Sequence, residues 1–189
     1  MIGLFFGSFN PIHIGHLVIA NYMAHYTSLK EVWLVVSPHN PLKQKSGLAD
    51  MYDRLEMARL ATENAPYLKV SDIEFKLPQP SYTVDTLAYL KEKYPEKEFA
   101  LIMGADNLSS FKKWKNYEVL LSHYKIFVYP RPNVDTSEWN DHSSIVFTDT
   151  PQMDISSTFI RNAIKQEKNI QFMVPDSVID FMDKKSLYK

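Results

Sequence analysis

The 189-residue chain has no cysteine, which excludes disulfides, thiolate-held metals and cysteine nucleophiles together. Glycine is scarce, at five, and no Gly-x-x-x-x-Gly-Lys, Gly-x-Gly-x-x-Gly or His-Glu-x-x-His pattern occurs, so the phosphate-loop, dinucleotide-fingerprint and zinc-protease signatures are all missing. Neither charge sign is in excess: 21 Lys+Arg stand against 22 Asp+Glu. A formal balance of -1 removes the bulk attraction on which non-specific nucleic-acid binders depend. An anionic ligand must therefore be met locally. No apolar run approaches the ~18 residues of a membrane span. The apolar start Met1 to Phe6 has no Lys or Arg before Lys30 and no small-residue cleavage pattern after it, so it does not read as a signal peptide. The expectation is a cytoplasmic protein with neither nucleic-acid nor membrane partners, whose oligomeric state, homo-oligomer included, stays open.

Hydrophobic residues make up 45% and aromatic residues 13%, enough for one domain over residues 1–189 to bury about 70% of its unfolded surface. Met1 to Phe6 ends at Gly7 as a short run for a strand buried on both faces. A helix follows over His16 to Tyr26, then a β-branched strand over Glu31 to Ser37 that stops at Pro38. Asp50 is placed to cap a helix with Met51, Leu55, Ala58 and Thr62 on one face. Leu68 to Phe75 reads as a strand, and the spacing of Val84, Leu87 and Ala88 as a helix opened by Ser81 or Thr83. Further strands are expected at Phe99 to Met103, Lys125 to Tyr129 and Ile145 to Phe147. Helices from Ser156 and from a cap at Asp176 close the chain. The polar stretch Asn133 to Ser144 reads as a mobile loop. Strands alternating with helices predict an α/β fold, a Rossmann-like, doubly wound, mainly parallel sheet with helices on both faces.

Ligands of such a sheet gather beyond the carboxyl ends of its strands, and three suggestive stretches are expected there. The first runs Gly7-Ser8-Phe9-Asn10-Pro11-Ile12-His13-Ile14-Gly15-His16, between the first strand and the first helix. Gly7 and Gly15 allow close backbone approach, and a helix N-terminus is an anion site. The second is Ile155-Ser156-Ser157-Thr158-Phe159-Ile160-Arg161, whose hydroxyls can cap a helix and also meet phosphate oxygens, with Arg161 as a permanent bidentate donor. The third is Gly104-Ala105-Asp106, where Asp106 suits ribose hydroxyls. His25, His39, His123 and His142 show no metal-ligand spacing and read as structural or exposed. Asp141-His142-Ser143 are adjacent and cannot form a hydrolase triad.

The first two stretches resemble the nucleotidylyltransferase superfamily, with its His-x-Gly-His motif and its Ser/Thr-rich motif ending in Arg or Lys. Within it, the chain is most similar to the bacterial nicotinate-nucleotide adenylyltransferases, nearly end to end. Pro38 to Lys43, Pro80 to Leu87, Ile102 to Leu108, Phe111 with Trp114, Pro130 to Pro132 and Val174 to Tyr188 carry the likeness. The family usually has Gly-Gly-Thr-Phe-Asp-Pro where this chain has Phe6-Gly7-Ser8-Phe9-Asn10-Pro11, and Leu42 stands where many members have histidine.

The resemblance implies attack by the phosphate of nicotinate mononucleotide on the α-phosphorus of ATP, giving deamido-NAD and pyrophosphate. It assigns His13, His16, Arg161 and Lys43 to catalysis. Gly7, Ser8, Phe9, Gly15, Gly104, Asp106, Arg131, Ile155, Ser156, Ser157 and Thr158 join His13, His16 and Arg161 around ATP. Tyr82, Thr83 and Trp114 take nicotinate mononucleotide, and Mg2+ is bound chiefly by phosphate and water. The alternatives are the same transfer to nicotinamide mononucleotide or phosphopantetheine, and a nucleotide sensor without turnover.

Overall fold

The structure, a computed structural model, describes residues 1–38 and 47–189. Its regular elements are, in chain order, β1 (Ile2–Gly7), α1 (Ile14–Tyr26), β2 (Glu31–Val36), α2 (Met51–Thr62), β3 (Leu68–Ser71), α3 (Thr83–Lys93), β4 (Phe99–Gly104), α4 (Ala105–Leu108), α5 (Tyr117–His123), β5 (Ile126–Tyr129), β6 (Ile145–Phe147), α6 (Ser157–Lys165) and α7 (Asp176–Lys184). The strands form one sheet in the order β3-β2-β1-β4-β5-β6. All five pairings are parallel, so the sheet expected to be mainly parallel is wholly so among the described residues. The winding reverses between β1 and β4, which leaves a crevice beyond their carboxyl ends.

Alternation along the strands explains why the sheet is covered on both sides. Leu4, Trp33, Val35, Leu101, Met103, Ile126 and Val128 point into a core shared with α3, α4 and α5. Their neighbours Phe5, Val32, Leu34, Val36, Ala100, Ile102, Phe127 and Tyr129 point into the opposite core, with α1, α2, α6 and α7. A period of two with both sets apolar is what a doubly covered parallel strand requires, and each large side chain so buried contributes about 1.5–3 kcal/mol.

Two helix starts follow their sequence signals. Asp50 Oδ1 accepts from the Tyr52 amide at 2.8 Å, and Ser156 Oγ from the Phe159 amide at 3.1 Å. Other expectations need correction. The Leu68 to Phe75 run is not one strand: β3 stops at Ser71, whose Oγ accepts from the Ile73 amide at 3.3 Å, and a 3₁₀ turn follows at Ile73–Lys76. The local side-chain bond competes with the ladder. Asp176 is not the cap of α7; Pro175 occupies that position, and Asp176 is the first helical residue, where its carboxylate faces the positive helix end. Helix α1 begins two residues before His16, and α4 and α5 occupy a stretch to which the pattern assigned no helix. The Asn133 to Ser144 loop is pinned at its middle by Trp139, buried with its ring 5.9 Å from that of Phe111.

Candidate active site

At the end of β1 the chain turns through Ser8 to His13 into α1. Phe9 has a positive φ of 45°, and its buried ring packs edge-on against Phe5 at 5.8 Å and His16 at 5.1 Å. A Cβ on Gly7 would lie 2.8 Å from Phe9 Cζ. The space beside Gly7 thus belongs to an aromatic ring that supports His16, whereas the sequence suggested approach by a ligand. Gly15 plays a similar part, because a Cβ there would lie 3.1 Å from His13 Cε1 and Nδ1.

The two imidazoles stack, with centroids 3.7 Å apart. His16 Nδ1 accepts from the His13 amide at 3.2 Å. In the neutral ring the proton is then on Nε2, which makes that nitrogen a donor. His13 is buried, and desolvation, with a smaller contribution from the Arg131 charge, pushes its pKa down to about 4. It is neutral at pH 7. His13 Nδ1 is buried with no hydrogen-bond partner among the described residues. The positive field of the site comes instead from Arg161, Arg131 and the N-termini of α1 and α6.

The second motif docks directly on the first, across 151 positions of sequence: Arg161 Nη1 donates to Asn10 O at 2.8 Å. Ser157 Oγ donates to Pro11 O at 2.9 Å, and Arg161 Nη2 to Thr158 Oγ1 at 3.2 Å. The three hydroxyls therefore have separate duties. Ser156 caps, Ser157 staples the two loops, and Thr158 receives the arginine.

The opposite wall is built from the other half of the sheet. Asp106, in α4, lies 3.7 Å from Arg131 Nε, and that guanidinium is 5.1 Å from the Tyr129 ring centroid. Tyr82 is the N-cap of α3 and Thr83 its first residue. Lys115 Nζ is 4.9 Å from the Tyr82 ring centroid and 2.8 Å from Asp85 Oδ2. The half-buried Trp114 ring is 5.3 Å from Phe111. Gly7, Ser8, Phe9, His13, Gly15, His16, Tyr82, Thr83, Asp106, Trp114, Arg131, Ile155, Ser156, Ser157, Thr158 and Arg161 all line one cavity of about 840 Å³. Gly104 does not; it is buried behind Asp106 and Tyr129, in a space a Cβ would fill. Lys43, with His39 and Leu42, lies outside the described residues. A second concavity of about 660 Å³, bordered by α6 and α7, contains none of the expected residues.

Arg54 supports the site without a signal in the sequence. Fully buried, it donates from Nη1 to Ser8 O and Ser37 O, both at 2.7 Å, from Nη2 to Pro38 O at 2.8 Å and from Nε to Ala49 O at 3.0 Å. Burial pulls its pKa down, but a guanidinium stays charged in a protein, so a fixed positive charge underlies the Ser8 loop. Asn10 is a second junction. Its Oδ1 accepts from the Ala49 amide at 3.1 Å and from Tyr188 Oη at 2.6 Å, and its Nδ2 donates to Gly47 O at 2.8 Å. The aspartate usual in the related motif cannot make that last bond, which gives the amide its reason.

Residues 4–163 match the cytidylyltransferase-like family. The chain is 57% identical over 190 residues to the probable nicotinate-nucleotide adenylyltransferase of Flavobacterium psychrophilum, covering 100% of this chain and 98% of that one. It is 50% identical over 187 residues to the enzyme of the same name from Cytophaga hutchinsonii, covering 99% and 97%. The solved structure of Plasmodium falciparum nicotinic acid mononucleotide adenylyltransferase complexed with NaAD shares the fold, with a TM-score of 0.82, 21% identity and coverage of 99% and 96%. The chain belongs to the cytidylyltransferase-like family and, within it, to the nicotinate-nucleotide adenylyltransferases.

Proposed function

We propose that this protein transfers the adenylyl group of ATP to nicotinate mononucleotide, releasing pyrophosphate and giving deamido-NAD. The observation that carries the reading is the docking of Arg161 and Ser157 on the Asn10–Pro11 backbone. It brings two helix N-termini, two imidazoles and a guanidinium to one cavity, in a chain related along its whole length to enzymes named for this activity.

The acceptor phosphate is largely dianionic at pH 7, since its second pKa is about 6. It needs no general base. One of its oxygens forms a bond to the α-phosphorus while the bond from that phosphorus to the β-bridging oxygen breaks, and pyrophosphate carries away the electron pair. The obstacle is repulsion between two polyanions, so catalysis is positioning and charge stabilisation. His16 Nε2 donates to the oxygens of the transferring phosphorus, and neutral His13 adds a donor beside it. Arg161, Ser156, Thr158 and the α6 N-terminus hold the β- and γ-phosphates, with Ser157 fixing that helix in place. Asp106 accepts from ribose hydroxyls and Arg131 covers the adenosine side, while Gly104 makes room for Asp106. Backbone donors at Tyr82 and Thr83 face the nicotinate carboxylate and Trp114 stacks on the ring, and the family resemblance assigns Lys43 to catalysis.

Nucleotidyltransferases of this family usually use a divalent metal, and we assign Mg2+. No group of three or more His, Asp or Glu among the described residues could hold it. The residues present fit an ion carried by the triphosphate and water, which would supply neutralisation of phosphate charge. No helix among the described residues is long and apolar enough to cross a membrane, and the proposed compartment is the cytoplasm. Pyrophosphate release from ATP with nicotinate mononucleotide, nicotinamide mononucleotide or phosphopantetheine in parallel tests the reading. Fastest release with the nicotinate form supports it. Release only with another acceptor, or ATP binding with no release, would overturn it.

A further inference from the structure

Two charged side chains are buried among the described residues, Arg54 at 0% and Glu74 at 3% exposure. Neither forms an ion pair there, with the other or with any third residue. Ser37, just after β2, touches both. Its carbonyl accepts from Arg54 Nη1 at 2.7 Å, and its side chain hydrogen-bonds Glu74. Glu74 also takes hydrogen bonds from Ser81 and from Thr86, whose Oγ1 lies 3.0 Å from Oε1. Ser81 and Thr86 flank Tyr82 and Thr83, and Thr86 Oγ1 is in addition 3.3 Å from Tyr82 O. Burying a carboxylate without a cation is costly. Burial accordingly pushes the Glu74 pKa up, and the hydrogen bonds with Ser37, Thr86 and Ser81 work against that rise while fixing the carboxyl in place.

We propose that Glu74 is a positioning residue for the acceptor nucleotide: through Ser81 and Thr86 it fixes the Tyr82–Thr83 wall, and through Ser37 and Arg54 it ties that wall to the Ser8 loop on the ATP side. Ser37, Glu74, Ser81, Tyr82 and Thr83 border the cavity together. Arg54 reaches Ser8 O at 2.7 Å, so the strut spans from donor loop to acceptor loop beneath the site. Its acceptor end hangs on the carboxylate, whereas its donor end is held by Arg54 through carbonyls independent of Glu74.

This inference rests on the proposed adenylyl transfer, and the experiment separates the two. Steady-state pyrophosphate release is measured with each substrate varied, alongside thermal unfolding, for wild type, Glu74→Ala, Glu74→Gln and Ser81→Ala. The strut predicts that Glu74→Ala raises KM for nicotinate mononucleotide about tenfold or more while KM for ATP stays within about twofold. Glu74→Gln, which keeps an acceptor oxygen, brings that KM back to within about threefold of wild type. Should Glu74→Ala fail to fold, Ser81→Ala removes one grip at a half-buried position and is expected to raise the same KM about threefold. A residue that merely stabilises the fold would move Tm and both KM values together, and that result overturns the proposal. So does an unshifted acceptor KM in folded Glu74→Ala and Ser81→Ala. Wild type that releases no pyrophosphate with nicotinate mononucleotide removes the functional reading and this inference with it, whereas wild-type turnover with unshifted variants removes the inference alone.

Discussion

Replacing Arg161 by lysine keeps the charge and removes the fork. Two guanidinium donors are engaged in the structure, Nη1 on Asn10 O at 2.8 Å and Nη2 on Thr158 Oγ1 at 3.2 Å. An ammonium donates from a single point and cannot span both acceptors while also facing a triphosphate. A hydrogen bond to a charged group contributes about 1.5–3 kcal/mol, so losing one of them together with the proposed bidentate phosphate recognition predicts a fall in kcat/KM for ATP of about tenfold to a hundredfold. The bond to Asn10 O also holds the loop, and a loss of about 1 kcal/mol there lowers Tm by about 2–4 °C in a chain of this size. Initial rates of pyrophosphate release with ATP varied at saturating acceptor, together with calorimetry, give both quantities. Wild-type kinetics in Arg161→Lys would remove the clamp. A lowered Tm with wild-type kinetics would reduce Arg161 to a loop staple.

Other consequences are open to direct measurement. His16→Ala removes the donor proposed to meet the transferring phosphorus and should lower kcat by about 10²; a loss below about threefold counts against that role. His13 binds its proton less tightly folded, at a pKa of about 4, than unfolded, at 6.5. The stabilisation from keeping it neutral is therefore present above pH 6.5 and lost as pH falls toward 4, by up to about 3 kcal/mol. Urea melts at pH 7 and pH 4.5 should show a steeper loss for wild type than for His13→Asn, and parallel losses would contradict the linkage. Gly7→Ala places a Cβ 2.8 Å from Phe9 Cζ, which should destabilise the fold by about 1–3 kcal/mol and lower kcat through the displaced His16 support. A variant as stable and active as wild type would show that Phe9 is free to move.

The sheet was legible because its strands are apolar on both faces, a pattern that needs no partner to be recognised: β1, β2 and β4 fall within a residue of their expected bounds. Short elements with local competitors were not. Ser71 turns the chain out of β3 through its own hydroxyl, and α5 has seven residues, too few to establish a period. Among the expected residues, those next to a strand end or a helix start border one cavity, because topology alone places them there. Gly104 satisfied that rule yet faces Asp106 and Tyr129 instead of the cavity. Arg54 and Glu74 were invisible, since their partners are carbonyls and hydroxyls up to 46 positions away and carry no residue-type signal. The fates of Ser157 and Phe9 were hidden for a similar reason. A hydroxyl that staples and one that binds phosphate look alike in sequence, and only the distance to Pro11 O tells them apart.

Everything proposed for the site depends on where ATP is attacked, and ATP labelled at the α-phosphorus reports it. Incubated with the protein, Mg2+ and nicotinate mononucleotide, it should place the label in the dinucleotide and none in pyrophosphate. Label recovered as ADP would mean attack at the γ-phosphorus, and label recovered only as free AMP would mean hydrolysis; either outcome is incompatible with adenylyl transfer between the two motifs.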